Sequence, residues 1–162
     1  MIHHLIFRSI PYFFVVFFIF LEFTPNYFFE SQVIKPYMFY TVLYCWIIHD
    51  FKKFSIVWIL IFCTFYDLIQ QEIVGITSIF FLIINYLQRK EFNDLISLEF
   101  KEAWIKFILS LTMYLCVFSF ASLFSVNNTL ALKTITISFV LSVMIFPLFF
   151  SVIEKLSRKF KS

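Results

Sequence analysis

The sequence predicts an all-α integral membrane bundle of six transmembrane helices, and three observations carry that prediction. The chain of 162 residues is 62% hydrophobic, with a mean hydropathy of +0.92. Only 14% of its residues are charged, against about a quarter in a soluble domain. Its apolar residues fall into six runs divided by short polar segments, most of them near the ~20 residues that cross a hydrocarbon core. Nearly the whole chain is then membrane-embedded, and residues 1–162 read as a single transmembrane domain.

In chain order, the first span covers residues 9–28. It follows Arg8, and Leu21-Glu22-Phe23-Thr24-Pro25 offers no small-residue cleavage site, so the run reads as a retained anchor. His3 and His4 read as solvated at the membrane surface rather than metal-binding. The second span covers 33–48 and opens on Lys35-Pro36-Tyr37. The third, 54–69, and the fourth, 73–87, form a tight hairpin joined by a short polar turn, and Gly75, the one glycine of the chain, opens the fourth. A fifth span covers 103–126 and a sixth 130–153. Hydroxyls are frequent in these last two, and Ser138 with Ser142 makes a small-xxx-small pair that lets helix backbones approach closely. Pro147 lacks a backbone donor and should kink the sixth span or loosen its packing. Between the fourth and fifth spans, Phe92, Leu95, Ile96, Phe100, Ala103 and Trp104 fall on one helical face. That segment, 92–102, reads as a short interfacial helix on the inner leaflet, with a docking surface for a cytoplasmic partner as the alternative.

Orientation follows from lysine and arginine. With the N-terminus inside, eleven of the thirteen basic residues lie on the cytoplasmic side, and only Lys35 and Lys133 lie outside. Both termini are thus expected in the cytoplasm of a bacterial inner membrane. Trp46, Trp58 and Trp104 fall near the inner boundaries, and Tyr27, Tyr37 and Tyr66 near the outer ones, where amphipathic rings settle. A net charge of +3 gives no reason to expect nucleic acid as a partner.

No catalytic set assembles in the sequence. Paired carboxylates deep in the membrane, a metal cluster, a Ser-His-Asp set and a glycine-rich phosphate loop are all missing, so the chain does not read as an enzyme and calls for no cofactor. Cys45, Cys63 and Cys116 are odd in number and lie in three separate runs, which suits small apolar residues inside helices. His49 beside Asp50 reads as a solvated pair in a cytoplasmic turn. Glu22, Glu30 and Glu72 lie near the outer boundary and read as solvated there. Asp67 is the exception, because a carboxylate one turn inside the membrane costs about 2.5–3.5 kcal/mol and needs a partner. It is expected to hydrogen-bond the start of the next helix, whose N-terminus carries partial positive charge, or to pair with Lys133. A partner-binding or ligand-cavity role, or a proton-relay or catalytic one, is open beside these. Gly75 is expected to permit close backbone approach within the hairpin.

Lys35-Pro36-Tyr37 at the head of the second span, Tyr44-Cys45-Trp46 within it, Asp67-Leu68 closing the third, Gly75 eight residues later and Tyr86-Leu87 before Arg89-Lys90 form an ordered set. In that order and spacing the chain resembles the family of the rod shape-determining protein MreD, most closely over residues 35–90. The resemblance implies a six-helix bundle similar to the substrate-binding subunits of energy-coupling-factor vitamin transporters. It also implies a non-enzymatic scaffold role in bacterial cell-wall elongation. The direct partner would be an MreC-like single-span protein. An MreB-like filament and a RodA-type glycosyltransferase with its transpeptidase would complete the complex, with membrane lipids around it. Lys35, Pro36, Tyr44, Asp67 and Gly75 are the structural or partner-binding candidates. A substrate-binding subunit of a vitamin transporter is the alternative, although the first span has no alanine for an Ala-x-x-x-Ala docking pattern.

Overall fold

A computed structural model of the chain describes residues 2–24, 34–50, 54–70, 74–92, 99–122 and 132–161. Among them there are six helices and no strand: α1 (Ile2–Phe23), α2 (Met38–Asp50), α3 (Ile56–Gln70), α4 (Ile76–Phe92), α5 (Phe100–Ser122) and α6 (Leu132–Lys161).

The short α2 is the axis of the bundle. Every residue from Phe39 to Ile48 is buried, as expected of a helix that is apolar on all sides. Its neighbours fix the directions of the rest. Glu22 of α1 meets Phe39, and Phe14 meets Trp46, so α1 runs antiparallel to α2. Phe39 stacks on Tyr66 with ring centroids 4.4 Å apart, while Trp46 lies near Phe54, which makes α3 antiparallel as well. Tyr40 meets Ser110 and Tyr44 meets Phe107, placing α5 in the same sense as α1 and α3. Tyr37 and Ser142, Tyr44 and Phe146, and His49 and Phe150 pair in step, so α6 runs parallel to α2. Aromatic rings fill the middle, among them Phe107 stacked on Phe146 at 4.3 Å.

Around this axis the outer helices turn large apolar side chains away from the core. Phe13 and Phe17 on α1, Ile61 and Leu68 on α3, Ile79 and Ile83 on α4, Ile105 and Leu109 on α5, and Met144 and Leu148 on α6 are all exposed. Soluble monomers rarely leave contiguous apolar surface of this extent uncovered. Two helical stretches, Phe100–Phe120 and Thr134–Arg158, are long and apolar enough to cross a membrane, and the other apolar stretches are shorter. Between the facing halves of α5 and α6, an open groove of about 500 Å³ is lined by Thr112, Leu115, Cys116, Ser119, Ile135, Thr136 and Phe139.

Several expectations shift. α2 begins at Met38 rather than residue 33, because Pro36 lacks a donor and holds the residue before it extended. α4 continues to Phe92 and α5 begins at Phe100, so the ends of the expected interfacial segment belong to these two helices; residues 93–98 lie outside the described set. α6 passes through Pro147 and continues to Lys161, about 45 Å at 1.5 Å per residue. Trp46, toward the C-terminal end of α2, is fully buried beside Phe14 and Phe54. His49 is not in a turn: it occupies the last turn of α2, with Nδ1 2.8 Å from the Cys45 carbonyl and its ring against Phe150. Cys45 and Cys63 are buried as expected, whereas Cys116 is exposed.

Candidate functional site

Four of the five candidate residues gather at one end of the bundle, in two adjoining seats. The first is the entrance of α2. A helix leaves its first N–H groups without internal partners, and inside a bilayer no water is at hand to satisfy them. Tyr37 is the N-cap, since its carbonyl accepts the first helical bond, from the Thr41 amide at 3.0 Å. A tyrosine side chain is no capping group, so other elements supply the acceptors. Tyr37 N–H donates to Ser142 Oγ of α6 at 2.8 Å, and Ser142 in turn donates to the Ser138 carbonyl at 2.7 Å. Phe39 N–H donates to Glu22 Oε2 of α1 at 2.9 Å, and Met38 N–H to the Pro36 carbonyl at 2.8 Å.

Lys35 works on the other side of the same junction. Its ammonium donates to the Glu22 carbonyl at 2.7 Å and to the Thr24 carbonyl, closing off the last carbonyls of α1 where a cation also meets the negative end of the helix dipole. Lys35-Pro36-Tyr37 therefore ends one helix and starts the next. Lysine stops α1, proline holds the chain extended, and tyrosine opens α2.

Glu22 is the residue that sequence reasoning misplaced. It was expected to be solvated, yet it is buried at 8% exposure. Its second oxygen, Oε1, accepts from the Tyr66 hydroxyl at 2.9 Å, and Tyr66, near the end of α3, is buried too. A signal was available: Val15, Ile19 and Glu22 continue the inward stripe of α1 at intervals of four and three residues, and a charge on that stripe must find partners inside. Glu30 and Glu72 lie outside the described residues.

The second seat is the turn between α3 and α4. Asp67 lies on the inward stripe Ile59, Phe62, Cys63, Tyr66 and Asp67, and is fully buried. Its Oδ2 accepts from the Gly75 amide at 2.8 Å, which meets the expectation of a bond to the start of the next helix. Thr77 neighbours the same carboxylate through its hydroxyl and amide, although Oδ1 completes no hydrogen bond of good geometry. Thr77 Oγ1 in turn lies 3.1 Å from the Tyr114 hydroxyl of α5. The alternative partner, the Lys133 side chain, lies outside the described residues.

Gly75 caps α4, its carbonyl accepting from the Ile79 amide at 3.0 Å. The expected close backbone approach is not its role. A Cβ built at this position would meet nothing within 4 Å, but φ is +104°. Only glycine adopts that conformation without strain, so the turn selects it for backbone shape. Tyr44 lies apart from both seats. It is buried mid-bundle, edge-on to Phe107 at 5.2 Å and to Phe146 at 6.2 Å.

Among the described residues, no group of three or more His, Cys, Asp or Glu side chains could hold a metal ion. The site is built from helix-end hydrogen bonds, and what it does chemically is hold elements in place. No curated protein matches the chain, and no solved structure does. A family model described as rod shape-determining protein MreD matches residues 3–156. The chain thus belongs to the MreD family, membrane proteins with a part in determining rod shape.

Proposed function

We propose that this protein is a non-enzymatic, six-span scaffold of the bacterial inner membrane that holds the membrane span of an MreC-like partner in the cell-wall elongation complex. The observation that carries this reading is the ring of exposed apolar side chains on α1, α3, α4, α5 and α6 around an α2 that is buried from Phe39 to Ile48. Such a body has lateral faces suited to another protein's helix, packed through van der Waals contact and small residues. In the same reading the spans are residues 9–28, 33–48, 54–69, 73–87, 103–126 and 130–153, widened or trimmed to the helix ends given above. The bundle takes the fold of energy-coupling-factor substrate-binding subunits, and both termini are cytoplasmic. Eleven of thirteen basic residues on the inner side support that orientation. Through the MreC-like protein the scaffold joins an MreB-like filament and a RodA-type glycosyltransferase with its transpeptidase. Lys35, Pro36, Asp67 and Gly75 shape the outer end that the partner meets, and Tyr44 stiffens the core behind it.

The test is co-purification in mild detergent with the MreC-like protein of the same genome, against an unrelated single-span control. Selective recovery at fixed stoichiometry is expected, and Asp67→Ala is expected to reduce it. Failure of the wild-type chain to recover the MreC-like protein, with both proteins folded, overturns the reading. Thiol labelling of cysteines placed at positions 3 and 161, from either side of the membrane, checks the orientation. Both should react only from the cytoplasmic side.

A further inference from the structure

We infer that Glu22, acting through Tyr66, is a positioning residue that fastens the entrance of α2 to the α3–α4 turn, so that the two seats move as one body. The inference rests on the scaffold reading for its consequence in partner capture, but its geometry stands without it. Capping α2 needs one acceptor per free amide, and a hydroxyl suffices, as Ser142 shows at Tyr37. Glu22 brings two oxygens: Oε2 accepts from the Phe39 amide at the head of α2, where the Met38 amide neighbours the same carboxylate. The other crosses to α3 and takes the Tyr66 hydroxyl at 2.9 Å. A carboxylate retained inside an apolar run, where a neutral cap would serve α2 alone, points to this second contact as its purpose.

Tyr66 is well placed to pass the constraint on. Its ring stacks on Phe39 at 4.4 Å, so it meets the entrance of α2 through both its hydroxyl and its face. It immediately precedes Asp67, whose carboxylate holds the Gly75 amide. One turn of α3 thus carries both fastenings: Tyr66 reaches toward α1 and α2, and Asp67 toward the start of α4. Lys35 completes the frame by tying the segment before α2 to the end of α1. Loosening Glu22 should therefore be felt at Gly75, on an element that Glu22 is not seen to touch.

Hydrogen–deuterium exchange on the full chain in lipid nanodiscs tests this, read at residues 37–41 and separately at 75–79. Glu22→Ala and Tyr66→Phe should each speed exchange at 75–79 by about tenfold, the equivalent of one hydrogen bond to a charged group. The double variant should be no faster there than Glu22→Ala alone. Glu22→Gln should restore slow exchange, because its amide oxygen can accept from Phe39 while its NH₂ donates to the tyrosine oxygen. Faster exchange confined to 37–41 in Glu22→Ala, with 75–79 unchanged in both single variants, would overturn the inference. If Glu22→Ala does not fold, Tyr66→Phe decides alone, since it removes one hydroxyl and keeps the stacked ring. Failure of the wild-type chain to recover the MreC-like protein would remove the scaffold reading and leave the exchange result standing. Recovery undiminished in a Tyr66→Phe variant whose 75–79 segment exchanges faster would overturn the link to partner capture.

Discussion

α2 and the α5–α6 pair are built from similarly apolar sequence and do opposite things with it. From Phe39 to Ile48, α2 exposes nothing, and its thirteen residues extend only about 20 Å. In α5 and α6 the most apolar stretches are only 28% and 22% buried; the helices meet through Phe107 and Phe146 at one end and part around a groove lined by Thr112, Cys116, Ser119 and Thr136 at the other. Hydropathy measures suitability for hydrocarbon, whether that hydrocarbon is lipid or protein. What separates the two regions is the polar fastening at their ends. α2 is capped from α1 and α6, and that capping is what lets a short helix sit wholly inside the bundle.

The contrast predicts a graded response to substitution. Cys45 and Cys63 are free and buried, so in a Cys116→Ser background the onset of thiol labelling on heating reports loss of the core. Tyr44→Ala should give the largest loss, about 3 kcal/mol, because it empties a space between Phe107 and Phe146; an unchanged labelling midpoint would mean α2 is not the axis. Gly75→Ala should cost about 1–2 kcal/mol through the positive φ alone, and since a Cβ meets no neighbour there, Gly75→Asn should recover part of it. Ser142→Ala should cost about 1 kcal/mol by leaving the Tyr37 amide without its acceptor. Met144→Ala, on the outward face of the same helix two residues away, should stay within about 0.5 kcal/mol. If the two α6 substitutions matched, the capping account of α2 would fail.

Much of this architecture was legible in the sequence. Periodic apolar runs gave the helices, and the cost of a lone aspartate near a glycine led to the contact between Asp67 and the start of α4. Helix ends were less legible, because the hydropathy of Leu156 or Ile76 does not record where a hydrogen-bond ladder begins or stops. Glu22 was misread for a related reason. Distance along the chain from the membrane boundary says nothing of angular position, and Glu22 faces inward in register with Val15 and Ile19. Gly75 was located correctly and given the wrong physics, since no one-dimensional pattern separates a glycine needed for space from one needed for a left-handed backbone. The direction of Lys35, back onto the carbonyls of α1, required the structure.

Every glycine codon opens with two guanines, whereas phenylalanine, isoleucine, lysine and asparagine are spelled largely in A and T. A chain with 27 phenylalanines and one glycine has the composition that nucleotide drift toward A and T would write. Such drift removes glycine first from places where any small or flat side chain can stand in. Helix contacts here are indeed made with serine, cysteine and stacked rings. At position 75 any such replacement carries backbone strain, because the demand there falls on a torsion angle and not on a volume. In a chain so depleted, the one glycine stands where the backbone turns through a positive φ, and what sets it apart is geometry rather than size.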